Sequence, residues 1–263
     1  MKASTEEFLY FLMWGADMLM RPTWSNMNGS FEQWAFRSGL GRRLQSLERE
    51  KFLEQQAAGK GASPDERVCR LTESGRIIAM GGIDPVAAWE RPWDGRWRLV
   101  LFDLPETMNK QRVRLRRVLK DLKFGYLQNS VWLSPDSLTA HAGKFAGTCV
   151  EVESLTLFEG RPAGGESDQD LVRGAWSFGA VQQRYDAWAK VAGQIPRMRS
   201  GGESEWRVVR QWAYRERLAW VAAVACDPFL PMPLLPAGYA GQKCWAQRVE
   251  ILGNLATDLR RMQ

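Results

Sequence analysis

Three patterns predict an α+β fold in three consecutive parts. Residues 38–71 read as a helix followed by a hairpin, residues 96–158 as strand, helix, strand, strand, helix, strand, and residues 170–262 carry helical spacing almost throughout. Breaker-rich stretches set the expected boundaries at 1–88, 89–165 and 166–263.

In the first part, Phe8, Leu9, Phe11, Leu12, Ala16 and Leu19 recur near helical spacing, and Arg21, Pro22 and Thr23 end the run. A short helix over 30–36 follows, with Ser30 as its N-cap. Residues 38–53, SGLGRRLQSLEREKFL, place Leu40, Leu44 and Leu47 on one face and turn Arg42, Arg43, Gln45, Ser46 and Arg49 elsewhere. Arginine grips phosphate or reads guanine, and Gln and Ser meet base edges, so the chemistry is that of a recognition helix. Glu48 and Glu50 repel DNA, and on the helix alone an ordinary solvated face is the stronger reading. Its context shifts that balance. Residues 52–56 and 67–71 read as paired strands around a loop containing Gly, Lys, Ser and Pro, and Thr72 with Glu73 opens a closing helix. Helix, hairpin wing and closing helix make a winged helix-turn-helix domain. The DNA-contacting candidates are Arg37, Ser38, Arg42, Arg43, Gln45 and Ser46, with Lys60 in the wing.

The second part is organised by residues 96–106, RWRLVLFDLPE. The apolar run Leu99 to Phe102 suits a buried strand, and Asp103, Leu104 and Pro105 stop it. From Met108 to Lys123, Leu115, Val118, Leu119 and Leu122 form an apolar stripe. Lys110, Arg112, Arg114, Arg116, Arg117, Lys120 and Lys123 crowd the remainder, making this the most basic segment of the chain. Two short strands around Asn129, a helix over 135–145 and a strand over 149–158 complete a ferredoxin-like βαββαβ order. Such a sheet leaves one face free for a partner domain or a second subunit. The basic helix is either a phosphate contact, to DNA or to a nucleotide-like ligand, or a solvated face. Asp103 at the strand end is a lead for a metal-dependent nuclease, but one carboxylate is a poor metal site. The stronger reading makes it a cap for the following helix.

The third part opens on a Gly-rich linker, RPAGGESDQD, and is expected to be mainly helical. Helices are predicted over 170–192, 203–226 and 242–262. Between the last two, Pro228, Pro231, Pro233 and Pro236 exclude regular structure and make a stiff crossing.

Composition narrows the function classes. The chain has 263 residues and a formal net charge of +6, a weak pointer to a polyanionic partner. Four dispersed cysteines without a CxxC pair argue against zinc, no cofactor motif is present, and His141 is the single histidine. No apolar run approaches the roughly 20 residues a membrane helix needs, so a cytoplasmic protein with reduced thiols is expected. The thirteen tryptophans suit core anchoring better than base stacking.

Four segments carry a family resemblance: RWRLVLFDLPE with its Arg-rich helix, LQNSVWLSP, AWSFGAVQQRYDAW and DPFLPMPLLPAGYAG. Together they resemble the PaaX-like repressors of the phenylacetic acid degradation operon, over essentially the whole chain. The resemblance implies a winged helix-turn-helix, a central ferredoxin-like domain similar to the small CRISPR-associated adaptation proteins, and a helical C-terminal domain. It also implies a homodimer on a double-stranded DNA operator, released by an acyl-CoA such as phenylacetyl-CoA. Arg116, Arg117 and Lys120 are then candidates for the effector, and no enzyme activity is expected. The chain departs from the family pattern at FEQWAFRSGLG, where Gly39 and Gly41 weaken the helix start. The alternatives are the nuclease built on Asp103 and a ligand-binding scaffold that has lost operator recognition.

Overall fold

The computed structural model describes residues 46–57, 67–79, 81–137, 155–197 and 203–261. The described residues mix helix with sheet and divide into two compact units. One draws on Met1–Asp84, Ala187–Val224 and Lys243–Gln263, the other on Pro85–Asp186 and Ala225–Gln242.

In the first unit, residues 46–49 are helical and bury Leu47. The helix stops because Lys51 turns left-handed, at φ 59. The Lys51 N–H then reaches the Glu48 carbonyl at 3.0 Å and the Phe52 N–H reaches that of Leu47 at 2.8 Å, a Schellman closure. The helix expected to run to residue 53 therefore ends before Phe52. Strand β1 (Leu53–Ala57) pairs antiparallel with β2 (Arg67–Leu71), from Leu53 opposite Leu71 to Ala57 opposite Arg67. Helix α1 (Glu73–Ala79) follows. Thr72 caps it, its hydroxyl accepting the Gly75 N–H at 3.1 Å while donating to the Lys51 carbonyl at 2.7 Å. One side chain thus joins the helix end to the strand exit.

The second unit opens with α2 (Pro85–Glu90) and β3 (Trp97–Phe102), and a 3₁₀ turn over Glu106–Met108 leads to α3 (Asn109–Asp121). Strands β4 (Gly125–Gln128), β5 (Val131–Ser134) and β6 (Leu155–Gly160) complete an antiparallel sheet in the order β4-β5-β3-β6. The strand expected over 149–158 begins at Leu155 among the described residues, and the helix expected over 135–145 lies largely outside them. Asn129 takes a positive φ of 48 in the tight turn between β4 and β5, as asparagine does more readily than bulkier residues. Among the described residues Asp103 does not cap α3. It is exposed, and Met108, the residue before the helix, stands at the N-cap with no side-chain cap bond.

Strand alternation sends Val100, Phe102 and Trp132 to one face of the sheet, where they pack with Leu115, Leu119, Leu122 and Phe124 around α3. Trp97, Leu99 and Leu133 point to the opposite face. That face, expected to take a partner domain or a second subunit, is covered by residues of the chain's own C-terminal part. Val172 and Ala175 of α4 (Asp168–Ala175) and Leu230 and Leu234 of the proline-rich crossing close over it. Buried Arg98 stitches the strand ends, bonding Glu159 at 3.1 Å, both carboxylate oxygens of Asp94, and the Pro135 carbonyl at 3.0 Å.

Where one helix was expected over 170–192 there are two, α4 and α5 (Phe178–Ala192). Trp176 breaks the run in extended conformation and lays its indole on β4, donating to the Lys123 carbonyl at 3.2 Å. Gly125 makes room for it, since a Cβ there would sit 2.6 Å from the ring. The linker's last residues form a capping box, Ser167 with Asp170, that starts α4.

The end of α5 from Ala187 and most of α6 (Glu203–Cys226) and α7 (Gly241–Arg261) supply the rest of the first unit, while the crossing between α6 and α7, with its 3₁₀ turn at Met232–Leu234, belongs to the second. The core of the first unit is aromatic. Trp188 and Trp220 meet edge to face at 5.4 Å, Trp245 lies 5.6 Å beyond, and the Trp212 indole bonds the Val191 carbonyl. At the centre, buried Glu216 is gripped by Arg248 at 2.6 and 3.1 Å and by the Trp188 indole at 2.8 Å.

Candidate nucleic-acid interface

Two surfaces present the chemistry of an anion contact, one in each unit. In the first unit it is the helix end and hairpin. Ser46 is half-buried and donates to Glu50 Oε1 at 3.0 Å, while Arg49 and Lys51 stand exposed at the turn into β1. Of the expected DNA-contacting residues, Ser46 alone belongs to the described part. Arg37, Ser38, Arg42, Arg43, Gln45 and Lys60 lie outside it. The hairpin itself has the paired register expected of a wing, with the Lys60 loop between its strands.

In the second unit the surface is α3. Its buried stripe is Leu115 and Leu119, with Leu122 just beyond the C-terminal end. The helical repeat turns Lys110, Arg114, Arg116, Arg117 and Lys120 to solvent, and all five are exposed. Val113, 60% exposed, sits among them, and Asp121 is the acidic residue of the helix. Arg112 leaves this set because it folds back to donate to the Leu104 carbonyl. The expected effector residues Arg116, Arg117 and Lys120 therefore share one outward face.

The helix closes on a second left-handed lysine, Lys123 at φ 66, with the Phe124 N–H on the Leu119 carbonyl. Lys123 is unlike its basic neighbours. Its amine donates to the Ala225 carbonyl, and burial pulls its pKa below the ordinary lysine value, against the opposing pull of Asp227, Cys226 and Asp121.

Asp227 anchors a network that the sequence did not signal. Its carboxylate accepts the Tyr185 hydroxyl at 2.6 Å, the Tyr239 hydroxyl and the Phe229 N–H at 2.8 Å, and the Trp89 indole donates to Tyr239 at 3.0 Å. Desolvation raises the Asp227 pKa, and the same burial beside a carboxylate raises both tyrosines. Phe229 is held left-handed at φ 49, while Arg91 donates to its carbonyl and to both oxygens of Asp136. The contacts of this network are intramolecular, and they tie the proline-rich crossing to the sheet domain.

Among the described residues no group of three His, Cys, Asp or Glu side chains is placed to hold a metal, and Asp103 stands apart. No described helix is long and apolar enough to cross a membrane.

Residues 90–172, from the end of α2 into α4, match the family model described as the PaaX protein central Cas2-like domain. That stretch is PaaX-like. The matched span takes in β3, the basic helix α3 and the β4–β5 turn, and it stops inside the helix that covers the sheet. A search of curated proteins found no match. Among solved structures, the chain is similar to the uncharacterized protein Rv0674 from Mycobacterium tuberculosis, at 21% identity and a TM-score of 0.46, over 85% of this chain and 83% of that one.

Proposed function

We propose that the chain is a PaaX-like DNA-binding transcriptional regulator, a repressor of a catabolic operon relieved by an acyl-CoA such as phenylacetyl-CoA. The match of residues 90–172 to the PaaX central domain carries this reading. On it, the N-terminal part is a winged helix-turn-helix whose helix end and β1–β2 hairpin face the operator, and the central domain is ferredoxin-like. The protein acts by binding rather than by catalysis, as a homodimer in the cytoplasm. The effector works by population shift, favouring a form whose recognition helices no longer match half-sites about one helical turn apart. A tenfold loss of occupancy requires the effector to prefer that form by about 1.4 kcal/mol.

Titration of the full chain against its own promoter region and a random duplex of equal length, each at two salt concentrations, tests this. Tighter promoter binding that persists at the higher salt is expected, because base contacts survive screening while phosphate contacts weaken. Equal affinity for both duplexes would refute operator recognition.

A further inference from the structure

We propose that the outward face of α3 is a second DNA contact, a sequence-independent one that binds the phosphate backbone; the proposal rests on the regulator reading for its partner but not on operator recognition. Lys110, Arg116, Arg117 and Lys120 are exposed and make no ion pair among the described residues. Arg114 lies on the same face and has a partner of its own.

Their spacing argues against a merely solvated face. Arg116 and Lys120 are four apart, and Arg117 and Lys120 three apart. Like charges at these separations stand side by side on a helix and oppose it by about 0.2–0.5 kcal/mol per pair. Helices that only need solubility intersperse acids. The α4 helix does so with Asp170 and Arg173, which form an ion pair. In α3 the repulsion is relieved within the element only by Asp121 at the last position, so a polyanion is the complement that offsets it.

The shape of the surface selects the polyanion. A helix of 13 residues is about 20 Å long, and duplex DNA carries one charge per about 1.7 Å of its axis, so α3 laid along a strand reaches several phosphates. An acyl-CoA would present its phosphates to the same cations. Its acyl chain also needs an apolar cleft, and Val113 is the one apolar side chain among these cations. On this proposal Arg116, Arg117 and Lys120, the candidates for the effector, contact the phosphate backbone instead.

The test compares the wild-type full chain with Arg116→Gln/Arg117→Gln/Lys120→Gln on a random-sequence duplex of about 40 base pairs, by fluorescence anisotropy across a potassium chloride series. Each lost phosphate contact lowers the slope of log affinity against log salt by about 0.9. The expected result is a slope shallower by about 2 to 3, with binding at least tenfold weaker at low salt and curves that converge as salt rises. An unchanged slope and affinity would overturn the proposal. So would a variant that keeps the slope but loses a thermal shift given by coenzyme A, which would make the face a small-anion site. Should the triple variant melt below wild type, Lys110→Gln/Arg117→Gln carries the same test, with an expected slope change of about 2. The regulator reading is judged separately, by the wild-type ratio of promoter to random affinity. A ratio of one with a slope that falls in the variant refutes operator recognition and leaves the α3 contact standing, whereas a high ratio with an unchanged slope does the reverse. No binding to either duplex overturns both.

Discussion

Glu216 in the first unit and Asp227 in the second are both wholly buried carboxylates, and they are kept in two different ways. Glu216 faces a cation. Arg248 is equally buried, bonds it through two nitrogens, and stacks its guanidinium over Trp220 at 4.8 Å. Asp227 faces hydroxyls and a backbone N–H, with the amine of Lys123 acting on it only through space. A charge compensated by a charge holds its ionisation but depends wholly on the partner. A charge compensated by hydrogen-bond donors survives the loss of any one of them, yet burial leaves it titratable. The first arrangement fixes three helical segments together. The second joins the crossing to the sheet domain through groups whose proton count varies with pH.

The largest effect expected from this contrast is at Arg248. Arg248→Met leaves Glu216 buried without its cation and is expected to destabilise the protein by about 3–5 kcal/mol, read as a shift in urea midpoint. Adding Glu216→Gln removes the uncompensated charge while leaving an oxygen for the Trp188 indole. The double variant is therefore expected to recover most of the loss. If the two losses simply add, the pair is not the unit described here.

Asp227→Asn probes the other arrangement and is expected to cost less, about 1–3 kcal/mol at neutral pH, because an amide satisfies only part of a site built from three donors. The pH dependence carries more information than the size. The folded pKa of Asp227 lies above the ordinary value of 3.8. Its contribution to stability is therefore complete below pH 3.8 and is lost as pH rises through the raised folded value. The amide of the variant cannot titrate, so the wild-type advantage over it is expected to shrink upward from pH 3.8. Parallel profiles across roughly pH 3.5–8 would show that folding does not raise the Asp227 pKa.

The difference between these carboxylates also marks what the sequence could express. Local pattern was legible: the RWRLVLF strand, the β1–β2 hairpin, the Thr72 cap, and the outward turn of Arg116, Arg117 and Lys120 all follow from periods of 2 and 3.6. The ends of two helices were not, because Lys51 and Lys123 occupy left-handed positions where glycine is the usual signal. The SDQD capping box was present in the sequence but sat within a stretch whose composition reads as linker. Nothing periodic announces that Leu230 and Leu234 cover a sheet face, since a proline-rich segment owes its conformation to fixed φ angles and to what it lies against. Glu216 and Arg248 stand 32 positions apart, on different helices, and only packing brings them together.

The smallest expected effect belongs to a third carboxylate, exposed rather than buried. Asp170 is held down to a pKa of about 2, first by the Ser167 hydroxyl and backbone N–H of the capping box, and then by Arg173. The sign is opposite to that of Asp227. Its stabilisation is complete above the ordinary value of 3.8 and disappears as pH falls through about 2. Asp170→Asn is expected to separate from wild type above about pH 4 and to converge with it toward about pH 2, by urea melts at each pH. Because the leading cause is a hydrogen bond to the cap rather than the exposed ion pair, Arg173→Ala should leave most of that separation in place, and raising the salt should screen only the Arg173 share. A separation that vanishes in about 1 M salt would instead assign the effect to charge pairing. Asp170 would then resemble Glu216 in kind, differing only in exposure.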